Sequence, residues 1–202
     1  MKKIILASQS KDRKKLLESI GLEFDILPTD IEENKYKESI SEPIKLACEL
    51  AKAKALRTKE NQSLSKFKQK FIIIAADTIV EFEGNIIGKA RDPDDAFRIL
   101  NKLSGKSHNL ITGIAITETL SSKLKVAYDC TKVKFLPLSD EEIRGYLKSG
   151  EWRGRAGAYS IREKAGLFVE SIEGSISNVV GLPLQKLFQT LKEHFNTNIL
   201  LK

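Results

Sequence analysis

Little in this chain suits soft-metal or redox chemistry. Of its 202 residues only two are cysteines and only two are histidines. Neither Cys48 nor Cys130 stands in a Cys-x-x-Cys pair or beside a histidine, which argues against a zinc site or a dithiol centre. So sparse a cysteine content fits a reducing compartment, and the cytoplasm is the expected location. No apolar run approaches the roughly 20 residues that cross a bilayer. The opening Met-Lys-Lys-Ile-Ile-Leu-Ala looks superficially like a signal peptide, but its apolar part, Ile4 to Ala7, is too short and charged residues follow at once. No membrane association is expected. Basic blocks interleaved with aromatics are also missing, so no nucleic-acid partner is expected. The densest basic stretch, Lys66 to Lys70, reads as the solvated end of a helix or loop. There is no internal repeat.

What the chain does have is a formal net charge of +7 with both signs well mixed. That balance permits an anionic ligand such as a nucleotide. The length suits one domain, or one domain of two lobes, with a real core. The most informative stretch is Phe71 to Val80, Phe-Ile-Ile-Ile-Ala-Ala-Asp-Thr-Ile-Val. Its apolar run suits a strand buried on both faces. Asp77 and Thr78 interrupt it. A carboxylate there requires a partner, a metal or an altered pKa. It either caps the next turn or serves as an acid, base or metal ligand at a strand end.

Around this stretch the chain alternates strands and helices. Lys3 to Ala7 reads as a strand, Ser8-Gln9-Ser10 as a turn, and Lys11 to Ile20 as a helix stopped by Gly21. Ser10 either only caps that helix or also helps form an anion site at its N-terminus. Glu23 to Leu27 reads as a second strand. The acidic segment with Asp30, Glu32 and Glu33 reads as a solvated loop. Glu42 to Leu56 reads as a helix, and Thr58 to Lys70 as a polar connector. Glu83-Gly84-Asn85 marks a hairpin turn into Ile86-Ile87, followed by Gly88-Lys89. A helix from Pro93 to Leu103 precedes two strands, His108 to Thr117 and Lys125 to Leu136, expected to pair antiparallel. His108 reads as a hydrogen-bonded structural residue. Ser139 opens a further helix. Gly150 to Gly166, glycine-rich and basic, resembles a binding loop more than a core element. A last strand, Leu167 to Ile172, and a helix from Pro183 to Phe195 complete the chain. The order fits an α/β fold with an elongated mixed β-sheet and flanking helices, in two lobes around a cleft.

Several short motifs, each weak alone, occur in one informative order. They are Leu6-Ala7-Ser8-Gln9-Ser10 with Arg13 and Leu16-Leu17, then Asp30 to Glu33, then Leu50-Ala51 with Lys54-Ala55. Ala76-Asp77-Thr78, Gly88-Lys89, Leu103-Ser104-Gly105 with His108, and Thr112-Gly113 follow. Ala156-Gly157-Ala158-Tyr159 and Ser177 to Pro183 come last. Together they resemble the Maf family of nucleoside triphosphate pyrophosphatases over nearly the whole chain. The resemblance implies a single two-lobed domain over residues 1–202, related to the inosine triphosphate pyrophosphatase fold. It implies a cytoplasmic enzyme that cleaves nucleoside triphosphates between the α- and β-phosphates, a divalent cation (Mg²⁺ or Mn²⁺) and, often, a homodimer. The expected role is house-cleaning of unwanted or modified nucleotides. The alternative is a nucleotide-binding regulator of septum formation with little turnover.

Phosphoryl transfer needs charge neutralisation, positioning and an oriented water. Ser8, Ser10, Arg13, Lys54 and Lys89 suit a phosphate clamp, Arg13 as a fork of donors and the lysines as point charges. Glu33 and Asp77 offer hard oxygens to the metal, and Asp77 is the expected proton acceptor for the attacking water. Asp77, Lys89 and Glu33 are therefore the expected catalytic residues. Thr78, Tyr159, Asp12 and Arg162 join the expected substrate-binding set. The last two depart from the branch that resembles dTTP/UTP pyrophosphatases. That branch usually reads Ser-x-Ser-Pro-Arg-Arg at the opening motif, where this chain has Lys11 and Asp12, and glutamine where it has Arg162. Thr78 agrees with it. The branch resembling 7-methyl-GTP pyrophosphatases would favour tryptophan at the Asp12 place and an acidic residue at the Arg162 place, and neither is present. A pyrimidine triphosphate is the expected substrate.

Overall fold

The computed structural model describes residues 3–61, 64 and 69–201. Residues 66–68 of the basic stretch lie outside these, as do Met1 and Lys2 of the signal-like start. The first strand, β1 (Lys3–Leu6), leads through Ser8–Ser10 into α1 (Lys11–Ser19). Ser10 caps α1 by accepting from the Arg13 N–H, and Gly21 leaves it with φ +68°, a conformation a Cβ would disfavour. The expected second strand shrinks to β2 (Asp25–Ile26).

The acidic segment is not a loop throughout: Glu33 opens α2 (Glu33–Ser39). No residue of α2 is buried, so it has no apolar stripe to betray it. Ion pairs between Glu33 and Lys37 and between Glu32 and Lys35 take the place of burial. Next comes α3 (Pro43–Lys59), capped by the Glu42 carboxylate on the Ile44 and Lys45 N–H groups. It runs past Leu56, because Thr58 returns its hydroxyl to the Lys54 carbonyl and is fully buried.

The central strand, β3 (Phe71–Phe82), continues through Asp77 and Thr78 without a break. It turns at Glu83-Gly84, both at positive φ, into β4 (Asn85–Ile87). Then follow α4 (Pro93–Leu103), β5 (Ser107–Glu118), β6 (Leu124–Phe135) and α5 (Asp140–Leu147), the last opened by a Ser139/Glu142 capping box. A short 3-10 turn at Lys164–Phe168 precedes β7 (Val169–Glu173). Two helices, α6 (Ile176–Val180) and α7 (Leu184–Phe195), come next, followed by a 3-10 turn at Ile199–Leu201.

The strands form one mixed sheet of seven, in the order β2-β1-β3-β5-β6-β7, with β4 on β3. β1 pairs parallel with β2 and β3, whereas β3–β4 and β6–β7 are antiparallel. The chain forms two compact units. The first comprises residues 1–77, 112–129 and 181–202, and the second residues 78–111 and 130–180.

In the first unit the isoleucine run is buried on both faces, as its continuity predicts. Ile72, Ile74 and Ala76 join Ile4, Leu6, Ile114 and Ile116 against Leu17 of α1 and Leu187 and Leu191 of α7. Phe71, Ile73 and Ala75 join Ile5 and Ala115 against Ala51 and Ala55 of α3. Because side chains alternate along a strand, Asp77 follows Ala75 onto the α3 face. The second unit has its own core, centred on Phe135, Leu100, Leu103, Tyr146, Trp152 and Phe168. Trp152, Ala158, Tyr159 and Ala165 belong to that core. The stretch from Gly150 to Gly166 is therefore a packed turn region as well as a surface loop.

Candidate active site

In the first unit the centre of the candidate site is an ammonium group between two carboxylates. Lys54 lies on the same stripe of α3 as Leu50, Ala51, Ala55 and Thr58, all buried. That stripe faces the sheet, so Lys54 must reach a charge. It donates to Asp77 Oδ1 at 2.5 Å and to Glu33 Oε1 at 2.7 Å. Lys54 and Asp77 side chains are each 14% exposed, and Glu33 28%. The other Glu33 oxygen accepts from Lys37 at 3.1 Å. Burial pushes the Glu33 carboxyl up, but the bonds and charge of Lys54, then of Lys37, outweigh it and hold the group at about 2. Glu33 also sits in the first turn of α2, where the helix dipole favours an anion.

Beside this cluster lies Arg13. Its Nε donates to the Gly181 carbonyl at 2.7 Å and an Nη to Ser8 Oγ at 3.1 Å. Ser8 Oγ also accepts from the Ser10 N–H, so the two serines and the arginine form one hydrogen-bonded turn. Burial lowers the Arg13 pKa, while the charges of Asp77, Glu33 and Asp12 raise it. An arginine starts so high that it stays charged throughout the working range. Those same charges place Arg13 in the field of both carboxylates. Asp12, in the first turn of α1, is buried at 7% exposure. The Gly181 carbonyl is the contact that reading the residues did not assign, although Ser177 to Pro183 stood out as a motif.

Gly113 of β5 explains how α3 comes so near the sheet. A Cβ there would fall 2.7 Å from the Cys48 nitrogen and closer still to the Ala47 carbonyl. The backbone of α3 thus rests directly on the strand, and no other residue type leaves that space. The motif Thr112-Gly113 therefore sets the height of the helix that carries Lys54.

Ser8, Ser10, Arg13, Asp12, Glu33, Lys54 and Asp77 all belong to the first unit. Hydrogen bonds join Ser8, Ser10 and Arg13 in one group and Glu33, Lys54 and Asp77 in another, and Arg13 feels the charges of Asp77, Glu33 and Asp12. Thr78 opens the second unit, next to Asp77 in β3. In the second unit Lys89 is exposed and bridges Ala156 through the backbone. Arg162 is exposed in the turn region. Tyr159 is only 5% exposed, and its hydroxyl is 2.9 Å from His108 Nε2. The hydroxyl expected to meet substrate is therefore engaged inside the fold. His108 is the hydrogen-bonded structural residue that its sequence context predicts.

Among the described residues no three of His, Cys, Asp or Glu gather as a ready-made metal cage. Glu33 and Asp77 nevertheless converge on one cation, the Lys54 ammonium. Two hard carboxylates so placed suit Mg²⁺ or Mn²⁺, which commonly take one or two carboxylates plus water and substrate phosphates. Among the described residues no helix is long and apolar enough to cross a membrane.

Comparison with known proteins places these features in context. The family model described as Maf-like protein matches residues 3–194. A dTTP/UTP pyrophosphatase of Alkaliphilus oremlandii is 44% identical over 99% of this chain and 100% of its own length. One from Ruminiclostridium cellulolyticum is 44% identical over 96% of both chains. A third, from Caldanaerobacter subterraneus, is 45% identical over 96% of this chain and 89% of its own.

Proposed function

The chain belongs to the Maf-like protein family, and from the geometry of its carboxylate–lysine cluster we propose that it hydrolyses pyrimidine nucleoside triphosphates, UTP and dTTP foremost, to monophosphate and pyrophosphate. The observation that carries this reading is the convergence of Glu33 and Asp77 on Lys54, beside Arg13. Simple binding of a polyanion would call for cations alone. Two carboxylates held close to them serve a reaction in which water loses a proton and phosphate gains charge. The names of the full-length relatives support the pyrimidine triphosphate as substrate class.

Asp77 is the proton acceptor for the attacking water. The strand that carries it is buried on both faces up to Ala76, so the carboxylate is held in place before substrate arrives. Lys54 and Arg13 carry the compensating positive charge, Lys54 as a point charge and Arg13 as a planar guanidinium held by Gly181 and Ser8. Ser8 and Ser10 hold the turn at the start of α1, whose dipole adds to the anion field. Lys89, exposed in the second unit, supplies a further ammonium for the phosphates. Glu33, with Asp77, would hold a divalent cation. That ion would neutralise charge on the phosphate oxygens during transfer. Thr78, Asp12 and Arg162 complete the substrate-binding set, with Asp12 and Arg162 as the determinants of the base, and Tyr159, whose hydroxyl is engaged by His108, serves it from within the core. The family resemblance supports a cytoplasmic location and a house-cleaning role, and it often goes with a homodimer.

The test is a nucleotide panel with Mg²⁺ and then Mn²⁺, scored separately for pyrophosphate and orthophosphate. UTP and dTTP should yield pyrophosphate and monophosphate in equal amounts, ahead of CTP, ATP, GTP and 7-methyl-GTP. Orthophosphate alone would show that another bond is cut. Binding of UTP without turnover by folded, metal-supplied protein would favour the regulatory reading.

A further inference from the structure

We propose that His108 is a positioning residue for the reaction, acting through Tyr159 on the Arg155–Ala158 turn and, through that turn, on Lys89. The inference rests on the role given to Lys89 above. All of its parts lie in the second unit.

His108 is 2% exposed and stands edge-on to Phe135, with ring centroids 4.8 Å apart, and to Tyr159, at 5.6 Å. Its Nε2 lies 2.9 Å from the Tyr159 hydroxyl, and its Nδ1 has no hydrogen-bond partner among the described residues. For packing alone this is a poor choice. A pair of phenylalanines would fill the same aromatic core without burying a ring nitrogen that nothing satisfies. The polar pair offers direction instead, since a hydrogen bond fixes the place of the Tyr159 ring where packing alone allows it to slide. Burial lowers His108 to about 4, outweighing the opposing charge of Glu81, so the ring is neutral at working pH and is not itself the acid or base.

The Tyr159 ring in turn supports the turn before it. A Cβ on Gly157 would lie 3.2 Å from Tyr159 Cε1 and 3.0 Å from Val80 Cγ2, so the turn rests on that ring. The turn closes with the Ala158 N–H on the Arg155 carbonyl, and Gly157 and Ala158 both have positive φ, +70° and +60°. Ala158 in that region is strained and needs external support. Finally, the Gly157 N–H donates to the Gly88 carbonyl, and Ala156 bridges Lys89. The backbone of Lys89 therefore takes its place from the turn, the turn from Tyr159, and Tyr159 from His108.

The experiment follows pyrophosphate release from UTP with Mg²⁺ by the full chain and its variants His108→Phe, His108→Gln, Tyr159→Phe and Lys89→Met. His108→Phe keeps the ring and should match or exceed the wild-type Tm, yet lower kcat by about tenfold, the scale of one hydrogen bond, with less change in KM. Tyr159→Phe should do the same, and the two together should be no worse than either. His108→Gln, which retains a hydrogen-bonding end, should recover most of the rate. In the Lys89→Met background, His108→Phe should change kcat/KM by less than about twofold, because the route it serves is already cut. Wild-type kcat in folded His108→Phe overturns the inference, as does a loss that persists undiminished in Lys89→Met. If His108→Phe does not fold, Tyr159→Phe alone decides between these outcomes. Wild-type activity of Lys89→Met would overturn the role of Lys89 itself, whereas an impaired Lys89→Met beside a normal His108→Phe rejects only the present inference.

Discussion

Lys54 shows how one side chain sets the chemistry of its neighbours. It is a cation on the buried stripe of a helix, and it stays there because Asp77 and Glu33 meet it at 2.5 and 2.7 Å. Removing it would leave two carboxylates close together in a partly desolvated place. Glu33 would then lose the first of the groups that hold it at about 2. Lys54→Met should therefore lower kcat by at least about 100-fold, the usual scale for losing a positioned charge-stabilising donor. Steady-state kinetics beside circular dichroism would separate this from unfolding. The individual residues were largely legible in the sequence, because a carboxylate in an isoleucine run is conspicuous and Lys54 stands in the Leu50-Ala51 and Lys54-Ala55 motif of the family resemblance. The carbonyl of Gly181 was not. A backbone acceptor leaves no mark on residue type, and its partner Arg13 is distant along the chain.

At the scale of elements, the approach of α3 to β5 decides where Lys54 lies. Gly113 permits it, and a methyl group there would meet α3 backbone that cannot give way. Gly113→Ala should cost about 1–3 kcal/mol, as overpacking does, and should lower activity by displacing Lys54. Urea unfolding together with kcat/KM would check both effects. The strands and most helices follow from period, caps and turns: Ser10 and Ser139 each cap the helix that they announce, and Asp92 caps the helix that Pro93 begins. Helix α2 does not follow. Its residues are polar on every side, so no periodicity distinguishes it from a loop, and ion pairs along its surface stand in for an apolar face. The strand through Asp77 and Thr78 was also longer than the two polar residues suggested. The backbone ladder is indifferent to side chains, and Lys54 satisfies the carboxylate from outside it.

For the molecule as a whole, stability should carry the signature of His108. The group is held at about 4 by burial in the fold, below its ordinary 6.5. Between these values the unfolded chain binds a proton that the folded one refuses. Stability should therefore fall as pH drops from about 6.5 towards about 4 and gain no further loss from this group below that. Thermal unfolding across this range should show the slope in the wild type and a flatter course in His108→Phe; equal slopes would contradict the assignment. Turnover also belongs to the whole molecule, and the central claim concerns Asp77. Its most direct test is pyrophosphate release from UTP and dTTP by Asp77→Asn, with folding verified against the wild type. Loss of the proton acceptor should lower kcat by about 100-fold or more, on the scale of general-base catalysis, with the protein still folded. Full turnover by a folded Asp77→Asn protein would contradict the account.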